Sequence, residues 1–373
     1  MGGATRCRSV VVVAVAVCLA SAIAAGAPGR VVLLTWNLAD GFPSGAEVAR
    51  ALRFALHGLP DDDDADSLPE LIVFGVQEAR IRPRRAVADW IRDAVNDHYF
   101  AERRTRYDVV GVATSRWGQW VPKHVRTWGH HLSGVVVLRR ASSNNTLARV
   151  TTGTSYCRWW SRGEKAISAV ALTTGSGHRL CFLSAHLPSA NMKSRVACLR
   201  HAFRGGQLGP MWDGCSARFL IGDLNSRTDS PTTTANVSDI VAKCHSWHDL
   251  VAQDEMTRAL VGRVNSLRGL VCTAGLHLPT YKLLVRPDTR LCMDTSACID
   301  IGRLLKVRDW DAPVADGNCG PGRVCYDATR PVSWTDQILF DPDQANLEFV
   351  AAVHAIHSSD HLPLVGRFAF TLK

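Results

Sequence analysis

The sequence predicts a single α/β domain of layered sheets flanked by helices, spanning residues 27–373. Three observations carry that expectation. Short apolar, β-branched runs recur along the chain, segments of helical spacing are few, and the two kinds do not alternate as a wound βα repeat requires. A length of 373 residues also admits two domains, yet no internal repeat or low-complexity segment divides the body. Gly and Pro are spread rather than clustered, which excludes collagen-like, coiled-coil and largely disordered chains.

In chain order, Arg6 and Arg8 precede an apolar stretch, Val10 to Ala20, and the small residues Ser21 to Gly26. This is the pattern of a secretory signal peptide over residues 1–26. An uncleaved anchor is the alternative, because Val10 to Ala25 approaches the roughly 20 residues that span a bilayer. Both put the body in a lumenal or extracellular space, and no later apolar run predicts another membrane helix. Val31–Trp36 reads as a buried strand and Glu47–Leu56 as a helix. Asp61-Asp62-Asp63-Asp64-Ala65-Asp66 reads as a solvated loop, with metal binding as its other reading. Leu71–Val76 is a second strand, followed by a helix whose Val87, Trp90, Ile91 and Ala94 share a face. Further strands are expected at Tyr107–Val112, Gly134–Leu138, Ala166–Leu172, Leu180–Ser184, Phe219–Ile221, Trp334–Phe340, Leu347–Val353 and Leu362–Phe370. A helix at Asn191–Phe203 interrupts them, with Val196, Leu199 and Phe203 on one face. Residues 286–330, rich in Cys, Gly and Pro, read as an insertion rather than a second domain.

Lys plus Arg outnumber Asp plus Glu by 43 to 34. That surplus suits an anionic partner such as a phosphate ester, nucleic acid or acidic lipid, without choosing among them. Cys7 and Cys18 fall inside the leader, and an even number of the 12 cysteines follows it, as structural disulfides in an oxidising compartment require. Cys292 with Cys298, and Cys319 with Cys325, are close pairs suited to staple the insertion; buried thiols are the alternative. The spacing of a zinc site is missing. Asn144-Asn145-Thr146 and Asn236-Val237-Ser238 are glycosylation sequons, meaningful if the leader directs secretion.

Polar residues collect at the C-terminal ends of the apolar runs: Asn37, Gln77-Glu78, His186, and Asp223 with Asn225. Asp336 lies within its run, and Ser359-Asp360-His361 precedes the last strand. Singly, such residues are helix caps or turn formers. Together they offer carboxylates, amides and imidazoles but no Ser-His nucleophile elbow. Oxygen donors of this kind suit Mg²⁺, and Asp and His beside such a metal can orient and deprotonate a water.

The series Thr35-Trp36-Asn37, Gln77-Glu78, Ser184-Ala185-His186-Leu187, Gly222-Asp223-Leu224-Asn225 and Ser359-Asp360-His361 resembles, in order, the endonuclease/exonuclease/phosphatase superfamily. Within it, several stretches are similar to the inositol polyphosphate 5-phosphatases. Gly163-Glu164-Lys165 resembles their G-N-K-G and Gly222 to Arg227 their G-D-L-N-Y-R. Pro279-Thr280-Tyr281-Lys282 matches P-T-Y-K, and Pro331 to Leu339 resembles P-x-W-C-D-R-I-L. The resemblance implies a four-layer sandwich, two packed mixed β-sheets flanked by helices, and Mg²⁺-dependent hydrolysis of a phosphate monoester. It implies Glu78 as principal metal carboxylate, with Asn37 beside it and Asp360 completing the surroundings. Asp223, helped by Asn225, would activate the water; His361 with Asp336 would form a dyad at the scissile phosphate, and His186 would bind phosphate. Lys165, Arg227, Tyr281 and Lys282 would hold the other phosphates of the substrate.

Three departures bear on that reading. Glu164 replaces an Asn beside Lys165, Thr335 a Cys, and Gln337 an Arg whose loss removes a charged anchor near the dyad. The expected substrate is an inositol phosphate or phosphoinositide, most simply its 5-phosphate, acted on by a monomer with peripheral membrane contact and no nucleic-acid partner. A secreted phosphodiesterase on the same scaffold, nuclease or sphingomyelinase-type, is the alternative, and a binding protein without turnover a third.

Overall fold

A computed structural model describes residues 29–39, 41, 43–56, 68–80, 84–101, 105–115, 131–143, 146–157, 165–204, 206, 208–227, 254, 263–274, 276–277, 280–281, 298–300, 323–325, 333–353, 356 and 358–370. The leader, the acidic run at 61–66, both sequon asparagines, Glu164, Lys282, Cys292 and Cys319 lie outside them.

The chain begins with β1 (Gly29–Asn37), α1 (Gly45–Leu56), β2 (Leu71–Arg80) and α2 (Arg84–Asp93). A single π-helical stretch, Ala94–Tyr99, extends α2 and leads to β3 (Tyr107–Thr114), β4 (His131–Arg140) and β5 (Leu147–Tyr156). There follow β6 (Ala166–Thr174), β7 (Arg179–His186), α3 (Met192–Arg204), α4 (Leu208–Asp213), β8 (Ala217–Asp223) and β9 (Val271–Cys272). A short ribbon, β10 (Cys298–Asp300) with β11 (Arg323–Cys325), precedes β12 (Asp336–Phe340), β13 (Ala345–Ala352) and β14 (Leu364–Phe370). One six-stranded sheet has the order β13-β14-β1-β2-β4-β3 and the other β5-β6-β7-β8-β12-β9. Both are mixed: β1 runs parallel to β2 and β7 parallel to β8, while their outer neighbours run antiparallel.

The sandwich has four layers because each sheet buries both faces. Val31, Leu33, Val73, Phe182, Phe219 and Ile338 meet between the sheets. The intervening residues Val32, Leu34, Ile72 and Phe74 face α1 and α2, while Leu183 and Leu220 face α3 and α4. Two buried faces explain why these strands read as continuous apolar runs instead of alternating ones. Helix starts follow local chemistry. Ser44 and Glu47 form a reciprocal cap on α1, the Glu47 carboxylate accepting from Ser44 N at 2.7 Å and Ser44 Oγ from Glu47 N at 3.3 Å. Asn191, expected as the first residue of a helix, instead caps α3 by accepting from Ser194 N at 2.9 Å.

Several features depart from the expectations. β5 adds a strand to those expected: it is an edge strand whose Thr- and Ser-rich sequence has little to bury. α4 is too short for periodicity to reveal. The disulfides among the described residues are Cys157–Cys198 and Cys181–Cys215, each joining the α3–α4 layer to the second sheet. Cys298 lies opposite Cys325 in the ribbon register, and the expected pairings with Cys292 and Cys319 fall outside the described residues. Among the described residues no helix is long and apolar enough to cross a membrane.

Candidate active site

The inter-sheet core ends in a polar mouth. Along β1, β2, β7 and β8 the side chains facing the other sheet turn polar toward the C-terminal end, through Thr35 and Ser184 to Asn37, Gln77, His186 and Asp223, and antiparallel β12 adds its first residue, Asp336. Register makes these residues neighbours: Asn37 lies opposite Gln77, His186 opposite Asp223, and Asp223 opposite Asp336. Parallel pairing of β1 with β2 and of β7 with β8 brings four strand ends to one edge, where an α/β sheet offers its binding crevice.

Gln77 is fully buried and bridges the sheets, its Nε2 donating to Ser184 Oγ at 3.0 Å and to Thr35 Oγ1 at 3.2 Å. Its neighbour Glu78 sits where the β2–β4 register slips, with φ of 50°. A bulge with a left-handed residue turns the side chain out of the ladder, and Glu78 is 32% exposed at the mouth. Its Oε1 lies 3.3 Å from His186 Nε2 and 3.5 Å from Lys165 Nζ. Burial alone would raise this carboxyl, but the hydrogen bond and charge of His186, with Lys165, outweigh it and hold Glu78 at about 2.

Asp223 accepts from Asn37 Nδ2 at 2.9 Å, Asn225 N at 2.9 Å and Asn225 Nδ2 at 3.2 Å, and lies 3.4 Å from His186 Nε2. Burial opposes its charge, yet these donors, His361 and Lys165 hold it well below the usual carboxylate range. The turn that follows is tight. Gly222, with φ of 138°, leaves no room for a Cβ against the Ala185 backbone, and Asn225 adopts a φ of 49°. Arg227 donates to Asn225 Oδ1 at 2.8 Å and stacks over the Tyr281 ring, 4.5 Å from its centroid.

Across the mouth, His361 Nδ1 is 2.8 Å from Asp336 Oδ2, which also accepts from Thr335 Oγ1 at 3.1 Å. Burial would lower His361, but Asp336, Asp223 and Asp360 push it up to about 9. Asp336 itself is raised, by burial first. Asp360 Oδ1 faces His361 Nε2 at 3.9 Å. The Tyr281 ring packs on His361, with centroids 4.6 Å apart.

Of the residues singled out in the sequence, Asn37, Glu78, Lys165, His186, Asp223 and Asn225 meet around one centre. Asp336, Asp360, His361, Tyr281 and Arg227 line its other side, and Lys282 is outside the described residues. Lys165, expected to serve the other phosphates of the substrate, lies in close contact with His186 Nε2 beside Glu78. Strand alternation puts Gln337 with Leu339 on the face away from Asp336, and its Nε2 donates to Trp334 O at 2.7 Å. Sequence reasoning missed how the site is braced. Ser359 Oγ donates to Asn37 O at 2.6 Å and accepts from His361 N at 3.1 Å, and Trp36 Nε1 donates to His361 O at 3.2 Å. Thr280 Oγ1 accepts from Asp336 N at 3.0 Å, and Ser133 Oγ lies 3.4 Å from His186 Nδ1. The quoted motifs contain Trp36, Ser359 and Thr280, but nothing local reveals partners more than 50 residues away.

Among the described residues no group of three or more His, Cys, Asp and Glu forms a metal cage. The donor set nonetheless fits a hard divalent cation such as Mg²⁺, which takes one or two protein carboxylates. Glu78 is ionised, oxygen-bearing and turned outward, with the Asn37 amide and a second carboxylate, Asp223, beside it.

The fold and this mouth define the endonuclease/exonuclease/phosphatase class. The model of Endonuclease/Exonuclease/phosphatase family 2 matches residues 34–298, and the chain belongs to that family. Asp336 and His361 lie beyond the match and join its residues in space. The inositol polyphosphate 5-phosphatase domain of SPsynaptojanin, in complex with inositol (1,4)-bisphosphate and calcium, superposes with a TM-score of 0.63 at 18% identity. That similarity covers 92% of this chain and 84% of the other. Cimex nitrophorin, as its ferrous NO complex, gives a TM-score of 0.58 at 15% identity over 93% of this chain and 100% of the other. No curated protein sequence matches the chain.

Proposed function

We propose that the chain is a Mg²⁺-dependent phosphomonoesterase of the secretory route, removing a phosphate, the 5-phosphate in its simplest form, from an inositol polyphosphate or phosphoinositide. The observation that carries this reading is the convergence of Glu78, His186, Asp223 and Asn225 on one side of the mouth with Asp336–His361 on the other. Lys165 and Arg227 add cations suited to further phosphates. The Pro279-to-Lys282 motif, of which Tyr281 stands against His361, favours a polyphosphorylated ring. The two disulfides favour an oxidising compartment.

Glu78 and Asn37 would hold the metal, which would supply positive charge to the phosphoryl oxygens and acidify a water. Asp223 stays ionised and braced by Asn37 and Asn225, so it orients that water and takes its proton only once the water is acidic. His361, protonated at neutral pH and fixed at Nδ1 by Asp336, presents Nε2–H as donor. As the new P–O bond forms and the ester bond breaks, that proton goes to the departing ring oxygen. His186 keeps Glu78 and Asp223 apart and charged.

Phosphate release from inositol polyphosphates and phosphoinositides, with sphingomyelin and DNA as controls, tests the proposal. Release is expected from the ring phosphates in Mg²⁺ and not in excess chelator, with Asp223→Asn slower by roughly 10² to 10⁴. Cleavage of DNA or sphingomyelin, with every monoester untouched, would replace it by a phosphodiesterase reading.

A further inference from the structure

Lys165 reaches the carboxylate–imidazole centre from the start of β6, and a lysine ammonium on its flexible stem is held only as well as its backbone is held. Two described attachments secure that backbone. Cys157 N donates to Lys165 O at 3.0 Å, closing the base of the β5–β6 connection just beyond the last register pair, Tyr156 with Ala166. Cys157 is itself bonded to Cys198 in the middle of α3, with Cα atoms 4.3 Å apart, and both cysteines are buried in the outer core. α3 is anchored in turn by Val196, Leu199 and Phe203 on the second sheet. A covalent line thus runs from the helix layer to the residue paired with Lys165, at the edge where the site lies.

We propose that the Cys157–Cys198 disulfide is a positioning device for Lys165: it fixes the backbone from which the ammonium meets Glu78 and His186. The second bridge provides an internal control. Cys181 lies near the start of β7 and Cys215 just before β8, at the end of the sheet away from His186 and Asp223. It ties the same helix layer to the same sheet without touching the Lys165 connection. Opening Cys157–Cys198 with a dithiol, which is oxidised to its own disulfide as two cysteine thiols form, then frees Lys165, whereas opening Cys181–Cys215 does not.

The experiment reads the lysine directly. The full chain, the Cys157→Ser/Cys198→Ser variant and the Cys181→Ser/Cys215→Ser variant are treated with an acetylating reagent, and acetylation at Lys165 is followed by peptide mass spectrometry. Acetylation about fivefold faster in the first variant and near the parent rate in the second is expected, because only the first opens this segment locally. Equal acceleration in both, or none in the first, overturns the proposal. Should the serine pair fold poorly, Cys157→Val/Cys198→Ala keeps the buried volume apolar and is read the same way.

A kinetic arm rests on the function proposed above. The first variant should raise KM for an inositol polyphosphate about fivefold with a smaller change in kcat, and the rise should vanish when both proteins also carry Lys165→Ala. Additive losses in that background would mark the bridge as a general staple and overturn the proposal. A chain that hydrolyses no inositol phosphate removes this arm alone, since the labelling result stands without a substrate.

Discussion

Asp223 and Asp336 are both buried, are direct register partners, and are driven in opposite directions. Asp223 collects amide donors and two imidazoles, which favour its charge. Asp336 has one oxygen shared between His361 and Thr335, and its Oδ1 meets no hydrogen-bond partner among the described residues. Carboxylates separated in this way take different parts in proton transfer. His361, pushed up to about 9 from 6.5, binds its proton more tightly folded than unfolded. Its stabilisation is therefore complete below about pH 6.5 and is lost as pH rises through about 9. Thermal melting followed from pH 6.5 to 9.5 should show Tm falling across that window, and His361→Gln should flatten the slope. An unchanged slope would mean that the imidazole is neutral in the native state. Glu78 carries the opposite sign, its contribution present above about 4.5 and lost as pH falls through about 2. Glu78→Gln should weaken Mg²⁺ binding by about 100-fold or more, since even groups behind a ligand cost 10- to 100-fold; titration calorimetry would read it. Lys282→Ala should cost about 2 kcal/mol on a substrate with adjacent phosphates and little on one without them. Equal losses on both would mark a structural lysine.

At the scale of elements, what could be read in advance was what is local. β1, β2, β7 and β8 are apolar on both faces, so their cores stood out, and the residues just past them were the polar ones that line the mouth. β5 was hidden because an edge strand has half its surface in solvent. The bridges were hidden because Cys157 and Cys198, or Cys181 and Cys215, are neighbours only after β6, β7 and α3 have packed. Nor does the sequence show that Gln337 turns away from the dyad, since that depends on which face of β12 meets the other sheet. The capping of α1 is fully local, and removing it should act locally too. Ser44→Ala should cost about 1 kcal/mol and leave kcat unchanged below the melting range, both measurable on one preparation. Ala39, exposed at φ of 43° just after Asn37, is a residue in a conformation that disfavours a Cβ. Ala39→Gly should raise Tm slightly, and a fall would mean that chain entropy outweighs the relief.

At the scale of the molecule, the mouth belongs to both sheets, and residues from position 37 to position 361 must meet before any of it exists. The order of the motifs was visible in the sequence, whereas the braces between them were not. β1 lies inside its sheet with β2 on one side and β14 on the other, paired from Gly29 opposite Phe370 to Thr35 opposite Leu364. The first described strand thus waits for the last described one. Until residues 364–370 have emerged, β1 and its Asn37 present an unpaired apolar edge, the kind of surface that invites pairing with other chains. A nascent polypeptide stalled before β14 should therefore have no phosphatase activity and should recruit chaperones or aggregate, while its β7–β8 half is already able to pair. A chain ending at residue 363 is expected in the void volume of a sizing column. Monomeric, active protein from that truncation would show that β1 finds its place without the strand that closes over it.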